Sequence, residues 1–177
     1  MARADYLLMK ELEKILGVLT PQNRLIIRVA AHTGLRIGDV LALKTSQLAP
    51  RFWVTESKTG KRKQVGLPMP LLNDIKKQAG KTYAFPGRDG KAPKTRQAVW
   101  KDVKRAAVAF RFPQNVSVHS VRKLYAVDLL EKYGDFDRVK KALNHSSDTV
   151  TMLYAMADRA LEAKFRRRRA GKGRKMS

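Results

Sequence analysis

Apolar residues recur at helical spacing along nearly all of this chain, and one stretch, residues 51 to 67, alternates instead. A period near 3.6 buries a helix stripe and a period of 2 buries one face of a strand. The contrast therefore limits the fold to a mainly α body with a small antiparallel β-sheet (α+β). Leu7, Leu8, Leu12, Ile15 and Leu16 mark a helix over residues 5 to 17, closed by Gly17. Thr20 and Pro21 predict the next start, with the threonine oxygen as cap and proline in the first turn. That helix runs through Leu25, Ile26, Val29 and Ala30 to Thr33-Gly34, and a short one follows from Ile37 to Leu43. Arg51 to Glu56 reads as a strand, Thr59-Gly60 as a turn, and Lys61 to Leu67 as the returning strand, ended by Pro68 and Pro70. Further helices are expected at 70–79, 94–110, 118–132, 136–143, 148–155 and 158–168, with a disordered tail from Ala170.

Charge narrows the class of partner. The chain has 38 Lys and Arg against 15 Asp and Glu, a formal net charge of +23. Such an excess repels itself in a compact state and draws phosphate at long range, so a polyanionic partner is expected. Lys164 to Lys175 hold eight of these cations, and removing those eight still leaves the rest of the chain at +15. A ribosomal or histone-like protein would share this charge, so charge alone does not imply an enzyme. With 177 residues, 44% of them hydrophobic, the chain can bury a real core. The expectation is one domain over residues 1–165 and a basic tail over 166–177. The absence of cysteine rules out thiol catalysis, disulfides and cysteine-ligated zinc. Apolar runs such as Leu25-Ile26-Ile27, broken by Arg28, are too short to span a bilayer. Lys10, Glu11, Glu13 and Lys14 break any signal-peptide pattern. No membrane association is expected, and a cytoplasmic, nucleoid-associated location is.

Six widely spaced residues carry the chemistry: Arg36, Lys58, His119, Arg122, His145 and Tyr154. Two arginines, a lysine and two histidines can neutralise a phosphodiester without a metal, and a tyrosine can hold the phosphate covalently. His119 and Arg122 are three apart on an expected helix and so share a face, with Ser117 placed to cap it. Lys58 lies in the expected hairpin turn beside Lys61, Arg62 and Lys63, where a solvated charge run is the competing reading. Met152, Leu153 and Met156 would equally suit a core tyrosine at 154, and four other tyrosines compete: Tyr6, Tyr83, Tyr125 and Tyr133. His32 sits on an apolar helix, where packing is expected. The acids form no cluster of the kind that binds paired divalent ions, which argues against a carboxylate-dependent integrase.

Order and context resemble the catalytic domain of the tyrosine recombinases, the phage-integrase family. Thr33-Gly34-Leu35-Arg36-Ile37-Gly38-Asp39-Val40-Leu41-Ala42-Leu43 follows the family's first-arginine motif, with Asp39 in place of the commoner glutamate. Ser57-Lys58-Thr59-Gly60-Lys61 resembles its hairpin lysine, and His119-Ser120-Val121-Arg122 its second box. Leu143-Asn144-His145-Ser146-Ser147 matches its histidine turn except for Asn144, where glycine is usual, and Tyr154 follows at the nucleophile's spacing. The resemblance spans roughly Leu7 to Phe165 and lacks the family's N-terminal core-binding domain. It implies a site-specific recombinase that cleaves and rejoins DNA through a 3′-phosphotyrosyl link at Tyr154. Arg36, Arg122 and His145 would hold the scissile phosphate, and Asp39 would keep the site in shape. Lys58, or else Lys61, would protonate the leaving oxygen, and His119 would act as base or assist proton transfer. No cofactor is implied. Partners would be double-stranded DNA and further protomers, as a tetramer on two duplexes. A type IB-like topoisomerase and a non-catalytic basic DNA-binding module are the alternatives.

Overall fold

The computed structural model describes residues 7–113 and 115–143. Helix α1 (Met9–Val18) starts later than the periodicity suggests: the Leu8 N–H donates to Glu11 Oε2 at 2.7 Å, so the chain turns into the helix there, with Leu7 buried ahead of it. Pro21 opens α2 (Pro21–Thr33) as expected, but Thr20 does not cap it. Its hydroxyl donates instead to Asp102 Oδ2 at 3.1 Å, and its N–H to the same oxygen at 3.0 Å. The helix buries Asn23, Leu25, Ile26, Ile27, Val29, Ala30 and Thr33. Among the described helices it packs most extensively on α6. His32 is exposed rather than packed; partial burial, with Arg28 beside it, pushes its imidazole pKa down, while Asp128 opposes.

Helix α3 (Ile37–Leu41) is two residues shorter than the sequence suggests, because the chain leaves it to pair elsewhere. Leu43 O accepts from Ala84 N at 2.9 Å, and Lys44 bridges Tyr83. The alternating stretch forms β1 (Arg51–Thr55) and β2 (Arg62–Gly66), an antiparallel pair running from Arg51↔Gly66 to Thr55↔Arg62. Its register turns Phe52, Val54 and Val65 into the core and leaves Trp53 outside. Pro68 then serves as cap of α4 (Met69–Gln78), and the Thr95 hydroxyl caps α5 (Arg96–Ala109) by accepting from Ala98 N at 3.2 Å. Ser117 caps α6 (Val118–Tyr133), which closes on left-handed Gly134, and Asp135 caps α7 (Phe136–Ala142). The helices expected at 148–155 and 158–168, and the tail, lie outside the described residues.

One continuous core joins Leu7 to Leu124, and a smaller one, Ala126, Val139 and Leu143, seats α7 on α6. Asp102 bolts α5 to the start of α2, accepting from Asn23 Nδ2 at 2.7 Å and from Arg105 as well as from Thr20. Burial works to raise its carboxyl, but these donors outweigh it and hold the pKa at about 2. No helix among the described residues is long and apolar enough to cross a membrane.

Candidate active site

The site is organised around the end of α2. Gly34 takes the left-handed conformation there, φ 63°, and its bare Cα lies against the Tyr125 ring, where a Cβ would collide with Cδ1 and Cε1. A glycine is needed on both counts. The last carbonyls of α2 carry the negative end of the helix dipole. Two cations meet them in succession, Lys63 Nζ on Thr33 O at 2.6 Å and Arg122 Nη1 on Gly34 O. Leaving this turn, the chain sets Arg36 at the cap position of α3.

Arg36 Nη1 donates to Glu56 Oε2 at 2.7 Å, with the arginine side chain 17% exposed and the glutamate fully buried. A buried pair of this kind needs further donors to offset its desolvation. Thr59 Oγ1 supplies one to the same glutamate oxygen at 3.3 Å. No described residue accepts from the buried Arg36 Nη2. A guanidinium nitrogen so placed is a ready donor for an incoming anion. Asp39, buried in α3, accepts from Ser57 N at 2.9 Å and Ser57 Oγ at 2.7 Å. The hairpin turn is thereby fastened on both sides of Lys58, through Ser57 to Asp39 and through Thr59 to Glu56. Lys58 and Lys61 are both exposed on that turn.

On α6 the Ser117 hydroxyl accepts from His119 N at 3.2 Å, and the Ser120 hydroxyl accepts from Ser117 N at 3.1 Å. His119 is exposed; Arg122, one turn on, is buried. The face that α6 turns inward mixes Ser120 and Arg122 with Val121, Leu124 and Ala126. Arg122 Nη2 donates to Leu143 O at 3.0 Å, which ties the end of α7 to the turn carrying Arg36. The structure thus brings Arg36, Arg122 and the Lys58 turn to one place, with His119 on the same helix as Arg122. His145 and Tyr154 lie outside the described residues, although Leu143, held by Arg122, is only two positions before His145.

Two residues here have roles that the sequence reading did not give them. Glu56 reads as a strand end, and nothing in its local sequence marks it as the partner of Arg36. Lys63 had a signal: it shares the inward face of β2 with Val65. Burial, reinforced by Arg122 and opposed by Glu56, lowers its pKa to about 8. Tyr125 packs beneath, and burial raises its phenol against the pull of Arg122, the opposite of what an activated nucleophile needs.

The chain matches the family model "Phage integrase family" over residues 5–160. It is 29% identical over 133 residues to "Probable integrase/recombinase YoeC" of Bacillus subtilis (strain 168), covering 72% of this chain and 73% of that one. It is 27% identical over 155 residues to "Tyrosine recombinase XerD" of Mycobacterium tuberculosis (strain CDC 1551 / Oshkosh), covering 79% of this chain and 49% of that one. A lambda integrase dimer bound to a COC′ core site superposes with a TM-score of 0.71 at 26% identity, over 87% of this chain and 48% of that one. The chain therefore spans about half the length of the last two. Among the described residues its mainly helical fold with a two-stranded sheet is that of tyrosine-recombinase catalytic cores. The chain belongs to the phage integrase family.

Proposed function

We propose that this chain is the catalytic part of a site-specific DNA recombinase, breaking and rejoining strands through a covalent 3′-phosphotyrosyl intermediate. In this reading Tyr154 Oη attacks a DNA phosphorus, the bond to the 5′ oxygen breaks, and Lys58, or Lys61, gives that oxygen its proton. His119 takes the phenol proton. Arg36, Arg122 and His145 hold the non-bridging oxygens, whose charge grows in the pentavalent transition state. A 5′ hydroxyl of another strand then attacks the phosphotyrosine and restores Tyr154. Phosphodiester energy is conserved throughout, so no nucleotide or cofactor enters the balance.

The observation that carries this reading is the convergence at the end of α2: one turn bears Arg36 and is gripped by Arg122 from a helix 88 residues away in sequence. Double-stranded DNA is the substrate, and a tetramer on two duplexes is the working assembly. Residues 1–165 form the catalytic domain, 166–177 a basic tail that adds phosphate contacts, and the protein works at the nucleoid in the cytoplasm. Incubation with a nicked suicide duplex in EDTA tests it. A DNA-linked protein band that disappears in Tyr154→Phe supports recombinase chemistry. Duplex binding without a band under any condition supports a DNA-binding module. A band with supercoil relaxation but no exchange between two duplexes supports a topoisomerase.

A further inference from the structure

Lys63 stands in the middle of this site and has no part in the steps above. Its ammonium donates to Thr33 O at 2.6 Å, beside Arg122 on Gly34 O, so two cations hold two consecutive carbonyls. From α6 it is faced by Arg122 and by the Tyr125 ring, whose centre lies 5.5 Å from Nζ. From the end of β1 it is faced by Glu56, which is paired with Arg36 of the α3 turn. Helix α2 offers only its carbonyl end. Mutual repulsion of Lys63 and Arg122 is opposed in part by that negative helix end and by Glu56. Lys63 bonds to the first of these carbonyls and Arg122 to the second, and the turn they hold leads directly to Arg36.

We propose that Lys63 is a positioning residue: with Arg122 it clasps the Thr33–Gly34 turn and so fixes the direction from which Arg36 meets its phosphate. The inference rests on the strand-cleaving function proposed above. Burial and the Arg122 charge lower the Lys63 pKa to about 8, and the neutral amine still has N–H groups to donate to Thr33 O, so the clasp holds on both sides of that pH. Arginine at this position keeps a donor, whereas methionine keeps the apolar stem without one.

The test is the single-turnover rate of adduct formation on saturating suicide duplex at about pH 7, for wild type, Lys63→Arg and Lys63→Met. Lys63→Met is expected to be slower by about tenfold or more while duplex affinity changes by less than about threefold. Lys63→Arg, which restores a donor, is expected to recover the rate to within about threefold of wild type. A wild-type rate in Lys63→Met, or a Lys63→Arg rate no better than that of Lys63→Met, overturns the proposal; Lys63→Gln takes the place of the methionine variant if that one does not fold. Hydrogen exchange of the Gly34 and Leu35 amides separates this inference from the enzymatic one. Should wild type form no adduct on any DNA, strand cleavage is refuted. Faster exchange at those amides in Lys63→Met than in wild type and Lys63→Arg then still supports the clasp, and equal protection overturns it.

Discussion

A single buried carboxylate decides how Arg36 is to be tested. Glu56 is fully buried and Arg36 is its ion-pair partner, so Arg36→Ala leaves an unpaired charge inside the protein. Breaking such a pair costs about 3 kcal/mol or more, measurable by urea unfolding. Activity lost in that variant would not by itself reveal a phosphate contact. The double variant Arg36→Ala/Glu56→Gln is expected to regain most of the stability while cleavage stays down by about 10²- to 10³-fold. Recovery of cleavage together with stability would mean that Arg36 is structural. Gly34 is the other sensitive position. Gly34→Ala must adopt φ near 63° and push a methyl into the Tyr125 ring, a combination expected to cost roughly 2 to 4 kcal/mol in unfolding experiments. Lys63 adds a pH effect of defined sign. An unfolded lysine keeps its proton to about 10.5, whereas the folded one releases it near 8, so the unfolded state binds more protons between these values. Stability is therefore expected to rise with pH across that window, and Tm against pH in wild type and Lys63→Met checks it.

Elements show where local sequence suffices and where it does not. The hairpin, α5 and α6 were legible because periodicity, glycine and cap residues there agree, and the α2 start through Pro21 alone. Thr20 misled because a buried acid 82 residues away competes for its hydroxyl. The end of α3 misled because residues 83 and 84 pair with the chain after it. Both are long-range hydrogen bonds with no local mark. Motif order put Arg36, Lys58, His119 and Arg122 forward as candidates, yet the roles of Glu56, Ser57 and Lys63 in seating this region were not legible, since their partners come from other elements. Asp102 gives a prediction at this scale. Its folded carboxyl is held near 2, below the ordinary range, so its stabilising effect is present above about pH 4 and is lost as pH falls toward 2. Asp102→Asn is expected to cost roughly 2 kcal/mol at pH 7 and to flatten the acid limb of the unfolding curve.

At the scale of the molecule, α2 works as a spine. Its N-terminal end is bolted to α5 through Asp102, and its C-terminal end is where β2, α3 and α6 deliver Lys63, Arg36 and Arg122. The whole chain's charge of +23 suits the proposed DNA substrate, and binding to it is expected to weaken steeply with salt. The chemistry is a narrower claim than the binding, and it depends on one phenol reaching the phosphate held by that cluster. Tandem mass spectrometry of the protein–DNA adduct, digested with protease and nuclease, reads this directly. The expected result is a nucleotide esterified through its 3′ phosphate to Tyr154, formed in EDTA and lost in Arg122→Ala. A nucleotide on any other side chain, or linked through a 5′ phosphate, would contradict the account.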